Sequence, residues 1–236
     1  MIQFFKRLFY KKLILVGSRT NLTDIKVTAE DSGYKIIGIL DKHYWGNTDS
    51  ICGIPVIGSE EELLDTKCRW RKYSFFPANW WDGKQATNGF NADKLRQERI
   101  KLLDDSGVRV ANLISNGVHW FHGRENIKLG KGILILANSS ISGNTEIGDY
   151  SVVDWEVKLV NTKLGRNNIV GVDSILAHAT VGDNVRMGVR SVVLPRKKPT
   201  VSIGSGSILF VNSLTLEDIP ENTVQTMYRI QRKRTT

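Results

Sequence analysis

Hydrophobic and polar positions fall into two textures along the chain. In the first, short apolar runs alternate with helical spacing. KLILVG at 12–17 is an apolar run closed by glycine, the pattern of a fully buried strand. Residues 20–31 place Leu22, Ile25, Val27 and Ala29 at helical spacing, with Ser32-Gly33 as a stop. KIIGILD at 35–41 is a second buried strand ending in Asp41, which completes a β-α-β unit with a parallel, right-handed crossover. GIPVIG at 53–58, a helix at about 59–66, a strand YSFFPA at 73–78, a helix KLRQERIKLLDDSG at 94–107 and a strand VRVANLI continue the series. NWWDGKQATNGFNA at 79–92 reads as a long loop, in which Trp80 and Trp81 either stack on a ligand ring or pack beneath the loop. The expectation is an α/β domain with a parallel, Rossmann-like sheet over residues 1–115.

Past residue 127 a short period takes over. Aliphatic residues recur six apart at Leu129, Ile135, Ile141, Ile147, Val153 and Leu159. One step of five leads to Leu164, then sixes to Val170 and Leu176; another five reaches Val181, then Met187 and Val193. A longer step containing RKKPT reaches Ile203, and the series resumes through Leu209 and Thr215. Glycine follows the aliphatic residue at 130, 148, 165, 171, 182, 188 and 204. A single hexad cannot bury its own side chain, so hexads must coil and stack into a parallel β-helix over 116–236. Glycine at those places suits tight corners where a Cβ is penalised.

Composition narrows the partners. The net charge of +9 favours an anionic partner, such as a phosphorylated metabolite, or else a solvated basic face. No nucleic-acid reading motif accompanies the charge, so nucleic-acid binding is not expected. Two cysteines without a CxxC fit a reducing, cytoplasmic setting. His119 and His122 stand three apart without accompanying cysteines or carboxylates, so no metal is expected. In MIQFFKRLFYKKLILVG the residues Lys6, Arg7, Lys11 and Lys12 interrupt any apolar run, which argues against a signal peptide or stable membrane insertion.

Together, KLILVG, KIIGILD and GIPVIG, followed by hexads from GILILANSS to SVVLP near residue 195, resemble the sialic acid O-acetyltransferase and bacillosamine N-acetyltransferase family. That resemblance covers nearly the whole chain. It implies a left-handed β-helix, homotrimers, acetyl-coenzyme A (acetyl-CoA) between neighbouring β-helices, and a nucleotide-linked sugar reached from the N-terminal domain. It assigns the nucleotide-sugar contacts to Gly17, Ser18, Arg19, Asp41 and Lys42. Here GSRTN replaces the family's glycine-rich first turn, and Lys42 replaces the second member of its acidic pair. Coenzyme contacts fall to Gly188, Arg190, Lys197 and Lys198. The tail YRIQRKR, with Arg229, Arg232, Lys233 and Arg234, departs from the family's closing pattern.

Three hexads make a triangular coil, so coils begin at 129, 147, 164, 181 and 203. Both short steps and the lengthened step are then the third hexad of their coils and fall along one edge. The third residues of those hexads are Gly143, Asn161, His178 and Pro195. By the resemblance, Asn161 stands where the family has its catalytic histidine, and His178 where it has glycine. A sugar hydroxyl needs a positioned base to attack a thioester, whereas an amine has an unprotonated fraction that attacks once oriented. Asn161 cannot accept a proton but can orient an amine or a carbonyl; His178 is the reserve base. Backbone N–H groups of the β-helix are expected to hold the oxyanion. Two readings follow: an acetyl-CoA-dependent N-acetyltransferase for nucleotide-linked amino sugars in surface glycan synthesis, or a non-catalytic trimeric relative that binds nucleotide sugar or a partner enzyme.

Overall fold

A computed structural model describes residues 10–18, 22–79, 85–121 and 124–226, with 85–93 as backbone only. The chain divides into two compact units, Met1–Asn116 with Lys131–Leu134, and Gly117–Gly130 with Ile135–Thr236.

In the first unit, β1 (Lys11–Val16) is the central strand, and Leu13, Ile14, Leu15 and Val16 have no exposed surface. Burial on both faces explains why its sequence is a continuous apolar run. Helix α1 (Leu22–Asp31) leads to β2 (Tyr34–Leu40), parallel to β1. The helix stops where expected: Gly33 takes φ +77°, and the Ser32 hydroxyl donates to Thr28 O while accepting from the Ile114 N–H. A hairpin of β3 (Ser50–Ile51) and β4 (Ile54–Gly58) follows, with β4 parallel to β2. β5 (Ser74–Pro77) then pairs with the opposite side of β1, and β6 (Arg109–Val110) pairs with β5. The order β3-β4-β2-β1-β5-β6 therefore reverses direction between β1 and β5.

Three elements differ from expectation. The helix over 59–66 is a short 3-10 turn, Glu60–Leu64, started by a Ser59–Glu62 capping box. The long helix α2 runs Gln85–Ser106, so it begins inside the stretch read as a loop. Once the 94–106 segment is helical, each residue added at its start costs little, and the weak helix formers of TNGFN are carried along. VRVANLI breaks into β6 and β7 (Leu113–Ile114), because Asn112 between them turns its side chain to accept the Ile133 N–H at 3.0 Å. Trp80 and Trp81, Arg19, His122, the N-terminal nine residues and the tail past 226 lie outside the described residues. No helix among the described residues is long and apolar enough to cross a membrane.

The second unit is a triangular coil with three stacked faces. One face carries Lys128–Leu129, Glu146–Ile147, Lys163–Leu164, Ala179–Val181 and Val201–Ile203, each in parallel register with the next. A second carries Val152–Val153, Ile169–Val170, Arg186–Met187 and Ile208–Leu209. The third carries His119–Phe121, Ser140–Ser142, Lys158–Val160, Ile175–Ala177, Val192–Val193 and Leu214–Thr215. The periodic aliphatic residues point inward; Ile141, Leu159, Leu176 and Val193 have no exposed surface.

Corners are built by a device the aliphatic period does not reveal. At each regular corner one residue takes a left-handed backbone, among them Asn138, Tyr150, Asn167, Asp173, Asn184 and Asn212. Asn and Asp tolerate that region best after glycine. The next residue is a buried Ser or Asn at Ser139, Ser151, Asn168, Ser174, Ser191 (after Arg190) and Ser213, and a buried valine after Asn184. Ser151 is typical: its hydroxyl donates to Gly165 O at 3.0 Å and accepts from Asn168 N–H at 3.1 Å. Such bonds satisfy corner backbone groups that no ladder reaches.

The repeat glycines do not sit in the left-handed region. They are needed for a different reason, the closeness of the next coil. A Cβ on Gly148 would lie 2.4 Å from the carbonyl oxygen of Gly165 and 2.5 Å from its carbon. Backbone cannot yield as a flexible side chain does. Gly148→Ala is therefore expected to lower unfolding free energy by about 1–3 kcal/mol, measured as a fall in the denaturant midpoint; an unchanged midpoint contradicts this packing.

Candidate active site

Register puts the sequence irregularities on one ridge. Ser142, Val160 and Ala177 are level in adjacent coils, so Gly143, Asn161 and His178 follow them as one column. Leu176 is level with Val193, which brings Pro195 to the height of His178. Between the two faces that meet here, the turn is 143–145 in one coil, 161–162 in the next, His178 alone in the third, and 194–200 in the fourth. Gly143, Asn161 and His178 all take left-handed backbone, with φ of +67°, +46° and +51°. Gly143 takes that conformation in a turn of full length, so it belongs to the ridge as such; asparagine and histidine are among the few side chains that adopt it. Both side chains are exposed.

Asn161 is fixed from below. Its Oδ1 accepts the Asn144 N–H at 3.0 Å. A Cβ on Gly143 would lie 2.0 Å from that oxygen, so glycine is required beneath it. Three backbone N–H groups on the ridge are already committed. Asn161 N–H donates to Ser142 O at 3.2 Å, His178 N–H to Val160 O at 2.8 Å and Thr162 N–H to Thr145 Oγ1 at 3.3 Å. Their orientation is set by stacking of the coils, which leaves no N–H of these three facing outward. Among the described residues, none bonds the His178 imidazole.

The coenzyme candidates lie on two different corners. Gly188 and Arg190 share the corner before the third face, where Arg190 takes φ +58° and its Nε lies 3.3 Å from Asp173 Oδ2. A Cβ on Gly188 would lie 2.5 Å from Val211 N, so that glycine serves coil stacking. Lys197 and Lys198 belong to the 194–200 turn on the irregular ridge, where Lys197 Nζ is 3.9 Å from Glu217 and Lys198 pairs with Asp218. A hydrogen bond from Lys198, helped by the Ser202 N–H, holds the Asp218 carboxyl below its usual range. That pairing is present at neutral pH and is lost only as pH falls through the lowered value. Among the described residues no cluster of three or more His, Cys, Asp or Glu is arranged to hold a metal.

In the first unit, the carboxyl ends of β1 and β5 form the switch point where open parallel sheets take ligands. A buried charge cluster that sequence inspection missed sits there. Arg99 on α2 is 2% exposed; its Nε lies 2.9 Å from Glu60 Oε1, its Nη1 donates to Asn79 Oδ1 at 2.6 Å, and its Nη2 is 3.0 Å from Asp41 Oδ1 without hydrogen-bond alignment. Asp41 is wholly buried and also accepts from Ser18 Oγ at 2.9 Å and His43 N–H at 3.1 Å. Gly17, at φ +85°, leaves room for Arg99: a Cβ there would lie 2.3 Å from Nη1. The exposed Lys42 ammonium pairs with Glu61 at 2.9 Å, which raises its pKa, while its N–H donates to Glu60 Oε2. Of the predicted nucleotide residues, Gly17, Ser18, Asp41 and Lys42 thus gather around one centre. The available signal was Arg96 and Arg99, three apart on one helical face.

No protein-family model and no curated protein matches the sequence. Solved structures do match. A histidine-to-asparagine variant of perosamine N-acetyltransferase from Caulobacter crescentus, in complex with CoA and GDP-perosamine, superimposes with a TM-score of 0.73 at 21% identity, covering 90% of this chain and 92% of that one. WeeI from Acinetobacter baumannii gives 0.68 at 14% identity over 90% and 94%. The acetyltransferase domain of PglB from Neisseria gonorrhoeae, in complex with acetyl-CoA, gives 0.61 at 17% identity over 91% and 95%. The likeness shows the fold. The repeats past residue 127 wind as the left-handed β-helix of these acetyltransferases.

Removing Arg99 leaves two buried carboxylates without their cation. Arg99→Met is expected to lower stability by about 3–5 kcal/mol, read by chemical denaturation. A loss below about 1 kcal/mol contradicts the cluster as a coupled, buried unit.

Proposed function

We propose that this chain transfers an acetyl group from acetyl-CoA to the amine of a nucleotide-linked amino sugar, in the synthesis of surface glycans. The single observation that carries the reading is the irregular ridge. Asn161 and His178 stand on adjacent coils, outward-facing, at about strand spacing (~4.8 Å), so one ligand can meet both. The matched structures support it: one holds CoA with GDP-perosamine and another holds acetyl-CoA. The first of them does so in a histidine-to-asparagine variant.

The reaction suits these residues. A free amine attacks the thioester without losing a proton beforehand, so orientation by Asn161 is what the ridge must supply. His178 adds an imidazole that can accept a proton, but no described protein group orients its ring. It assists and is not indispensable. In this reading residues 1–115 are a Rossmann-like nucleotide-sugar-binding domain, with Gly17, Ser18, Arg19, Asp41 and Lys42 near the nucleotide. Residues 116–236 are the acyltransferase β-helix. Three copies assemble in the cytoplasm with acetyl-CoA between neighbouring β-helices, its phosphates met by Arg190 beside Gly188 on one corner and by Lys197 and Lys198 on the irregular ridge.

Of a second reading, a non-catalytic nucleotide-sugar-binding or scaffold protein, the scaffold form is favoured by one observation: the centre expected to meet the nucleotide is filled from within, with Arg99 over Gly17 and Asp41 wholly buried.

Thiol release from acetyl-CoA, measured against a panel of nucleotide-linked amino and hydroxy sugars, separates the two. Turnover is expected with amino sugars alone, and His178→Ala is expected to keep it within about tenfold, whereas loss of a true general base costs roughly 10²–10⁴. Silence across the panel with undetectable coenzyme binding leaves the scaffold reading. Turnover of hydroxy sugars overturns the N-acyl assignment.

A further inference from the structure

Resting on that transferase reading, we infer that the Asn161 side-chain amide is the donor that holds the thioester carbonyl oxygen as it becomes an oxyanion. A backbone N–H can only donate, so the Asn161 atom 3.0 Å from Asn144 N must be the carbonyl oxygen. The amide's orientation is therefore fixed by chemistry. Its oxygen lies down against the Gly143 coil, where a Cβ on Gly143 would be 2.0 Å from Oδ1 but 3.3 Å from Nδ2. Nδ2 is turned away from that coil on an exposed residue, and no described protein atom accepts from it.

What can Nδ2 bind? A protonated amine repels it. A free amine that accepts from it gives up the lone pair needed for attack. A thioester carbonyl oxygen, by contrast, is an acceptor that gains charge in the reaction, so a donor there stabilises the transition state more than the ground state. Four backbone donors on the ridge are spent: the N–H groups of Asn144, Asn161, Thr162 and His178 all have protein acceptors, while the His178 imidazole N–H, one coil away, has no bond among the described residues that fixes its direction.

The step balances as follows. The amine nitrogen's lone pair forms the N–C bond, and the carbonyl π pair moves onto oxygen, where Asn161 Nδ2–H donates to it. The oxyanion then re-forms C=O, the C–S bond breaks with its pair on sulfur, and the proton released from nitrogen ends on the thiolate. The products are an N-acetyl sugar and free CoA thiol.

Two substitutions divide structure from chemistry. Asn161→Asp keeps an oxygen for the Asn144 N–H but presents no donor; Asn161→Gly keeps the left-handed backbone and loses both functions. Steady-state kinetics with the amino sugar that the parent turns over, together with thermal melts, are the readouts. Asn161→Asp is expected to melt with the parent and lose kcat by about 10²–10³, with KM for acetyl-CoA within a few-fold. A purely structural asparagine predicts parental kcat for Asn161→Asp and a loss confined to Asn161→Gly, and that result overturns the inference. A parent that turns over no amino sugar removes the transferase reading and this inference with it; an active parent with an unaffected Asn161→Asp removes the inference alone.

Discussion

Stacking of one coil directly on the next is the constraint from which the second unit follows. Along its faces each coil donates backbone N–H groups to the coil after it, and at its left-handed corners to the coil before it, so every position on a face acquires a fixed neighbour one coil away. Where two coils come too close for a Cβ, glycine is imposed, as at Gly148 against Gly165. Where the ladder cannot reach a corner, a buried Ser or Asn completes it, as Ser151 does for Gly165. Because the register is so strictly set, a missing residue cannot be absorbed by sliding. It must be absorbed locally, in the left-handed turns at Asn161 and His178.

That explains why both short steps carry polar residues. The tight turn selects side chains that tolerate positive φ, and outward exposure on a ridge keeps them solvated. Structural demand and chemical opportunity coincide there. The same stacking commits the backbone N–H groups of Asn144, Asn161, Thr162 and His178, and the amide of Asn161 is the side-chain donor there whose orientation is fixed. In the first unit a comparable demand has the opposite outcome. Gly17 and Asp41, placed by strand ends at the switch point, are filled from within by Arg99 and Glu60.

Much of this was legible in the sequence. A six-residue aliphatic period has one economical solution, and counting its short steps was enough to align Asn161 with His178. The central strands were legible for a similar reason: KLILVG and KIIGILD are buried on both faces, so burial is written into every position. The corner hydroxyls were not, because Ser and Asn are ordinary turn residues and only the coil shows that Ser139, Ser151 and Asn168 are interior. Nor was the Arg99 cluster, since charged residues on a helix ordinarily face water and the spacing of Arg96 and Arg99 marks a shared face without marking it as buried. The start of α2 at Gln85 escaped because local propensity there opposes a helix that its continuation stabilises.

The most direct test of a donor at Asn161 is the side-chain NH₂ resonance of that residue in asparagine-labelled protein, assigned by its loss in Asn161→Asp. Acetyl-CoA carries the thioester carbonyl and free CoA does not. The resonance should move on adding acetyl-CoA and stay near its original position with CoA, although both coenzymes bind. Equal response to the two, or none to either with binding verified, contradicts the account.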